Sequence, residues 1–349
     1  MAKKQILHIL FPEKFFHQYI EFVNQHFDEE EHTFLYLKAK GNEPKAKNVK
    51  SMRYYRWGIL FYWELFRYAS MADKIMLHSL QKTKVINFLF LFPRFRKRSC
   101  WYLWGGDLYY RVESYSKRFY NPISKHIFKA VVKGLGGIVT HIQGDCTLAS
   151  KVFGFKGTYY NCFLYPSNLY KPVHIEPKTG KTIWILVGNS SHTSNNHKEV
   201  FSKLSYLKHS DVKIVCPLSY GNIKNAKRVA AQGFSVFGEK FMPITSFIPL
   251  DEYTKLLAQI DVAIFNHWRQ QAVGNIVSLL GMGKTVYLRH EVTTWEMLAS
   301  IGVKTQNFTQ FEQLELLTEA ERKGNSEIIK KYFCAEQLIA QTAKVFEVN

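Results

Sequence analysis

The chain is 349 residues long, 46% hydrophobic and 21% charged, which excludes a disordered segment and suits two domains better than a single core. No apolar run reaches the roughly 20 residues of a bilayer span. The formal net charge of +19 requires an anionic partner or location, and it is uneven: residues 1–165 carry 26 Lys and Arg against 12 Asp and Glu (+14), residues 166–349 carry 21 against 16 (+5). The longest apolar stretches, 57–66 and 85–93, are too short to cross a membrane, and Glu64 interrupts the first. Residues 6–11 are broken by His8 and stopped by Pro12-Glu13, so no signal segment is read there and the protein is expected to be cytoplasmic. The five cysteines, Cys100, Cys146, Cys162, Cys216 and Cys334, are scattered and indicate neither a disulfide framework nor a zinc site.

In chain order, residues 6–10 read as a strand, 15–27 carry apolar residues at helical spacing, and 32–37 read as a second strand. A basic linker with Gly41 and Pro44 as breakers follows, then an aromatic-rich helix over 54–69, a strand over 74–80 and a helix over 82–92 ended by Pro93. A strand at 99–104, a helix around 116–132, a strand at 137–141, a helix at 145–153 and a strand at 159–165 complete the first half. This alternation predicts a Rossmann-like, mostly parallel sheet. Basic blocks (Lys38, Lys40, Lys45, Lys47, Lys50, Arg53, Arg56, then Arg94, Arg96, Lys97, Arg98) interleave with Tyr54, Tyr55, Trp57, Trp63 and Phe95. That mixture suits an anionic membrane surface or nucleic acid, or is a solvated basic face. No RNP, zinc or KH pattern supports nucleic acid.

In a parallel sheet the useful loops lie at the carboxyl ends of strands, which selects His8, His78, the turn Trp104-Gly105-Gly106-Asp107, His141 and Asp145. Asp107 is either a general base for an acceptor hydroxyl or the cap of the next helix. His8 and His78 are either site or structural imidazoles.

Residues 166–180, with Pro166, Pro172, Pro177 and Gly180, read as a linker. A second alternating set follows: a strand at 181–187, the small-residue loop Gly188-Asn189-Ser190-Ser191, a helix through Val200 and Leu207, a strand at 212–216, a turn past Tyr220 into a helix at 223–231, and the apolar loop Phe247-Ile248-Pro249-Leu250 before a helix starting at Asp251. The strand 262–265 then enters a carboxylate-free loop containing Asn266, His267, Arg269, Gln270 and Gln271, which turns at Gly274 into an apolar helix containing Asn275 and Ser278. A strand at 285–288 and helices at 293–300 and 311–320 precede a tail at 328–348. Free N–H groups at a helix start beside a fixed cation suit a phosphate-bearing ligand, and neighbouring amides suit sugar hydroxyls. The plain alternative is an ordinary βαβ loop.

Two Rossmann-like halves, a Pro-containing linker and a closing C-terminal helix resemble the GT-B glycosyltransferase architecture, with a cleft between the two domains. The segments WYLWGGDLY (101–109), ILVGNSSHTSNN (185–196), residues 214–221, Asp251-Glu252-Tyr253 and residues 266–283 together resemble the TDP-N-acetylfucosamine:lipid II N-acetylfucosaminyltransferases, glycosyltransferase family 56. The resemblance implies an α/β fold divided into an acceptor- and membrane-facing domain (1–165), a linker (166–180), a nucleotide-sugar domain (181–325) and a helical tail (326–349). It implies transfer of a 4-acetamido-4,6-dideoxyhexose from a dTDP-sugar to an undecaprenyl-diphosphate-linked glycan at the cytoplasmic face of the bacterial inner membrane, for enterobacterial common antigen or O-antigen. Mapped residue by residue, Gly188, Asn189, Ser190, Ser191, Gly274 and Asn275 would hold the diphosphate, and Arg269 would neutralise it. Gln270 and Ser278 would contact sugar and ribose, and Tyr220 with the loop through Phe247 and Ile248 the nucleoside. From the residues themselves, the amides of Asn266 and Gln271 suit sugar hydroxyls, and Asp107, His8 and His78 sit at the strand ends of the acceptor half. No Asp-x-Asp motif marks a metal, so neither metal nor cofactor is expected beyond the donor. A GT-B-fold nucleotide-sugar 2-epimerase and a basic nucleic-acid-binding protein are the competing readings.

Overall fold

The computed structural model describes residues 3–13, 15–38, 46–53, 58–115, 121–172 and 180–348, the side chain of Arg53 excepted. Lys40, Lys45, Tyr54, Tyr55, Arg56 and Trp57 lie outside the described residues, as do 116–120 of the expected helix and 173–179 of the expected linker. The chain forms two compact units, Met1–Leu169 with Ala335–Asn349, and Tyr170–Cys334.

The first unit contains strands β1 (Ile6–Leu10), β2 (His32–Lys38), β3 (Val49–Arg53), β4 (Lys74–His78), β5 (Ser99–Tyr102), β6 (Gly137–Val139) and β7 (Thr158–Tyr160). Its helices are α1 (Phe16–His26), α2 (Gly58–Met71), α3 (Thr83–Leu91), α4 (Gly106–Tyr115), α5 (Pro122–Gly134) and α6 (Gln143–Phe153). The sheet runs β3-β2-β1-β4-β5-β6-β7 with every pairing parallel. Strands β1 and β4 are buried along their whole length, as a sheet covered on both faces demands.

The second unit contains β8 (Ile183–Val187), β9 (Val212–Pro217), β10 (Phe241–Ile244), β11 (Val262–Phe265), β12 (Thr285–Leu288) and β13 (Gln306–Asn307). Its helices are α7 (His197–Leu204), α8 (Ile223–Phe237), α9 (Leu250–Gln259), α10 (Val273–Gly281), α11 (Thr293–Ser300) and α12 (Glu319–Tyr332). The order β10-β9-β8-β11-β12-β13 is again wholly parallel. The strand sequence reverses direction of travel between β8 and β11, and in the first unit between β1 and β4, which is where open α/β sheets present their loops to ligands.

The last helix, α13 (Ala335–Phe346), returns to the first unit. There Phe346 packs 4.6 Å from the His32 ring, the Gln341 side-chain oxygen accepts from Phe163 N at 3.1 Å, and Lys74 Nζ donates to the Glu347 carbonyl at 2.6 Å. The cysteines are free thiols, all buried except Cys334, which is partly so.

Several elements depart from the sequence reading. Strand β3 lies where a linker was expected: as an edge strand it buries only Met52 among its described side chains and so shows no apolar run. Strand β10 holds Pro243, which an edge strand tolerates. The expected helix at 311–320 is absent; α12 begins at Glu319, where Thr318 and Glu321 form a reciprocal capping box.

Candidate functional site

The second unit gathers one polar cluster at the carboxyl ends of β8 and β11. Gly188 N donates to the Ile264 carbonyl at 2.9 Å, extending the β8–β11 pairing into the loops. Gly188 has φ +69°, and a Cβ there would lie 2.6 Å from Asn195 Oδ1, so both backbone and space require glycine. The loop then folds on itself. Asn195 Oδ1 accepts from Asn189 N at 2.9 Å, and Asn195 Nδ2 donates to Ser190 Oγ (3.1 Å) and the His192 carbonyl (3.0 Å).

That amide orientation makes His267 Nε2, 2.9 Å from Asn195 Oδ1, the donor, so its proton sits on Nε2. Burial, and then the charge of Arg269, depress the His267 pKa to about 3. Two further bonds join the loops: Gln271 Nε2 to Asn189 Oδ1 at 2.8 Å and Asn196 Nδ2 to the Asn266 carbonyl at 2.7 Å. Ser194 Oγ donates to Gln271 Oε1 at 2.6 Å. Towards β9, Ser191 N and Oγ both donate to the Tyr220 carbonyl at 2.7 and 2.9 Å.

This lattice brings the two expected segments together and reassigns several of their residues. The N–H groups of Gly188, Asn189 and Ser191 are consumed within the protein, and the Ser190 and Ser191 hydroxyls are buried and bonded. The loop is therefore a scaffold for its neighbour rather than a cradle of free donors. Asn266, fully buried, has its Oδ1 3.0 Å from Arg289 Nη1 and its Nδ2 2.8 Å from Glu199 Oε2. Fully buried and tied to Arg289 and Glu199, its amide is out of reach of a sugar.

The unused donors are at the start of α10. Ala272, in the left-handed region at φ 59°, precedes the helix and supplies no side-chain cap, and the first turn contains no acid. Among the described residues the N–H groups of Val273, Gly274 and Asn275 have no acceptor, and beyond Gly274 the space is open. The helix dipole makes this end attractive to an anion. Arg269 is partly exposed, donates from Nη1 to the Gln270 carbonyl at 3.2 Å, and among the described residues pairs with no carboxylate. The Gln270 side chain is likewise uncommitted, whereas Asn275 Nδ2 donates to Tyr253 Oη at 3.1 Å. Ser278 lies one turn further along α10 and is partly exposed. Tyr220, Phe247 and Trp268 are 78%, 79% and 63% exposed, and Ile248 is half-buried.

Sequence reasoning passed over Arg289. It is buried at the end of β12, with its guanidinium 3.6 Å from the centre of the Trp268 ring, Nη2 3.3 Å from Glu291 Oε1, and Nε without a partner among the described residues. It holds Trp268 and Asn266, and through them the loop that carries Arg269. Its position immediately after a strand was the available signal.

The first unit corrects three expectations. Asp107 is buried, not poised at a strand end: Oδ2 accepts from Leu80 N (3.1 Å) and Trp101 Nε1 (2.7 Å), Oδ1 from Trp104 N and Leu108 N (both 3.1 Å). Burial raises its pKa against the pull of these donors. With every lone-pair direction taken, Asp107 ties the β4 turn to the β5 turn and cannot act as a base.

His8 and His78 are also fully buried, in a chain: Trp104 Nε1 to Tyr165 Oη (2.8 Å), Tyr165 Oη to His78 Nδ1 (2.8 Å), His78 Nε2 to His8 Nδ1 (3.2 Å) and His8 Nε2 to His32 Nδ1 (3.0 Å). An indole only donates, so running the protons in this order leaves no hydroxyl proton stranded and ends at His32 Nε2, a buried atom without a partner among the described residues. Burial pushes the His8 and His78 pKa values down, and burial with the nearby Lys4 charge takes His32 to about 4. These imidazoles are structural. Among the described residues no group of His, Cys, Asp or Glu could hold a metal ion, and no helix is long and apolar enough to cross a membrane.

Two Rossmann-type parallel sheets define the GT-B glycosyltransferase fold, and solved structures agree on it. A glycosyltransferase from Rickettsia africae superposes with TM-score 0.68 at 11% identity over 99% of this chain and 98% of its own. Anabaena HepE in complex with UDP-glucose gives TM-score 0.66 at 12% identity (97% and 98% covered), and WaaG, a glycosyltransferase involved in lipopolysaccharide biosynthesis, 0.62 at 10% (97% and 98%). Residues 12–322 match the model of the 4-alpha-L-fucosyltransferases, glycosyl transferase group 56, and the chain belongs to that family. It is a glycosyltransferase, which sets aside the epimerase and nucleic-acid readings.

Proposed function

We propose that the enzyme transfers a 4-acetamido-4,6-dideoxyhexose, a relative of fucose, from a dTDP-sugar to an undecaprenyl-diphosphate-linked glycan at the cytoplasmic face of the inner membrane, in enterobacterial common antigen or O-antigen synthesis. The family's description as fucosyltransferases supports a 6-deoxyhexose donor. The observation that carries the reading is the free α10 start beside Arg269, which pairs with no carboxylate among the described residues, on a loop braced by Asn195, Gln271 and Arg289. In this reading the donor diphosphate lies on the N–H groups of Gly274 and Asn275. As the glycosidic bond breaks, negative charge grows on the departing nucleoside diphosphate, and Arg269 and the helix dipole stabilise it without reorganising. Gln270 addresses sugar hydroxyls, Ser278 the ribose, and exposed Tyr220 and Phe247 with half-buried Ile248 offer faces for the base.

Thermal stabilisation by dTDP, UDP and GDP tests this directly. At about 100 times its dissociation constant, the correct nucleotide adds about 2.7 kcal/mol. The expected result is a shift with dTDP that Arg269→Ala diminishes, together with release of dTDP only when a lipid-linked glycan is present. Absence of a shift with all three nucleotides refutes the donor site.

A further inference from the structure

Helix α2 buries Phe61, Leu65 and Ala69 against the sheet of the first unit. Its opposite face is not polar. Ile59 and Trp63 are 82% and 65% exposed, Leu60 and Met71 43% and 70%, and Arg67 lies among them. At 100° per residue these five positions fall within an arc of about 120°. Glu64, the helix's one acid, sits at the edge of that arc, half-buried.

Single exposed apolar residues need no explanation, but four on one side of one helix, with only Arg67 and Ser70 among them, do. The cations around it are held by aromatic rings. The Arg67 guanidinium lies 5.0 Å from the Tyr68 ring centre and 6.0 Å from that of Trp63, and Arg94 lies 4.5 Å from Phe66 while donating to Ser70 Oγ at 3.4 Å. Arg96 does not join them: its three guanidinium nitrogens donate to the carbonyls of Leu89, Phe90 and Ala130 at 2.6, 2.7 and 3.3 Å. Arg98 donates to the Ala72 carbonyl at 2.6 Å. The 94–98 cluster is thus partly internal, and the docking charge belongs to the α2 face and Arg94.

We infer that the outer face of α2 docks on an anionic bilayer, with Ile59, Leu60, Trp63 and Met71 entering the headgroup boundary and Arg67 and Arg94 meeting lipid phosphates. Charge decides between occupants. A second copy would bring the same cations face to face, since a two-fold contact pairs a patch with itself, whereas anionic lipid neutralises them. Amphipathic helices with Trp and aliphatic residues on one side and Arg beside them lie in the membrane interface in this way. The inference rests on the lipid-linked-acceptor reading only for its purpose; the surface itself is argued from the first unit alone.

The test uses the full chain with vesicles of phosphatidylcholine alone and with 30% phosphatidylglycerol, read by co-sedimentation, alongside the nucleotide melting shift. The expected result is at least about tenfold tighter binding to the anionic vesicles. Arg67→Gln with Arg94→Gln should weaken it roughly 25-fold, from about fivefold per charge. Ile59→Ser with Trp63→Ser should weaken it more than about tenfold, with the melting shift intact. Wild-type-like binding by both variants overturns the inference. So does a wild-type dimer in solution that the serine variant converts to monomer, which would make the face a self-contact. A wild-type chain that binds no anionic vesicle yet shows the dTDP shift and transfers sugar to a detergent-solubilised acceptor sinks the surface and leaves the function standing. Vesicle binding without any nucleotide shift does the reverse.

Discussion

Acidification should unfold the first unit through its buried imidazoles. His8, His32 and His78 are held neutral in the fold, their pKa values depressed chiefly by burial, with Lys4 lowering and Asp28 raising that of His32. In the unfolded chain each returns to about 6.5. Because the folded values lie below the unfolded one, the stabilisation is fully present above pH 6.5 and is lost as pH falls towards the folded values, near 4 for His32. Between pH 7 and pH 5 each imidazole costs about 2 kcal/mol, the three together about 6, and His141, buried in the same unit and depressed by burial to about 4, about 2 more, a large part of the 5–15 kcal/mol typical of a domain. Hydrogen exchange in peptides spanning β1 and β4, converted to an opening free energy at pH 7, 6 and 5, measures this locally. His8→Phe, which keeps a ring against Phe34 in place of the imidazole now stacked there at 4.5 Å, should cost about 1–3 kcal/mol at pH 7 through unpaired partners, and should flatten the pH slope by about a quarter. A wild-type loss below about 2 kcal/mol over this range, or an unchanged slope in the variant, would refute the neutral-chain assignment.

Asp107→Asn turns an amide N–H towards two protein donors and should cost about 2–4 kcal/mol in a urea titration, with turnover per folded molecule largely preserved; a stable but inactive variant would restore Asp107 as a base. Gly188→Ala, clashing with Asn195 Oδ1 at positive φ, should destabilise by more than about 1 kcal/mol and abolish the nucleotide melting shift. Ala272→Gly relieves the left-handed residue before α10 and should raise stability by roughly 0.5–1 kcal/mol; a lowered melting point would show that the Ala272 methyl makes a contact worth more than the strain.

How much was legible in the sequence depended on burial. Strands β1, β11 and β12 and helix α11 appear at their expected limits because each is an apolar run between clear breakers. Edge strands β3 and β10 were missed because an edge strand need not be apolar, and α4 because the glycines before Asp107 read as a turn. The two loops expected to act together are indeed neighbours, since strand order places them side by side and hydrogen bonds join them. Individual roles were less accessible. Composition shows that Asn266, Ser190 and Ser191 are polar, but only coordinates show their hydrogen bonds already spent on the protein.

The two switch points make the same point from opposite sides. Between β1 and β4 the strand ends are filled by His8, His78, Tyr19, Tyr102 and Tyr165, all buried and mutually bonded or in ring contact. Between β8 and β11 the equivalent position holds asparagine and glutamine side chains that bond one another and leave at the surface Gly274, Gln270 and Arg269, the last of which donates to the Gln270 carbonyl and, among the described residues, pairs with no carboxylate. A buried aromatic and imidazole network gains from excluding water and leaves no vacancy for a polar ligand. An amide lattice fixes a loop without adding net charge, so Arg269, unpaired with any carboxylate among the described residues, is left to face an incoming anion. On the proposed reading the nucleotide lies on the second unit, and replacing Gln271 by leucine, which cuts the bonds to Asn189 and Ser194 while leaving Arg269 untouched, should weaken binding of the proposed dTDP donor almost as much as Arg269→Ala does. Undiminished binding by that variant would mean that Arg269 needs no brace.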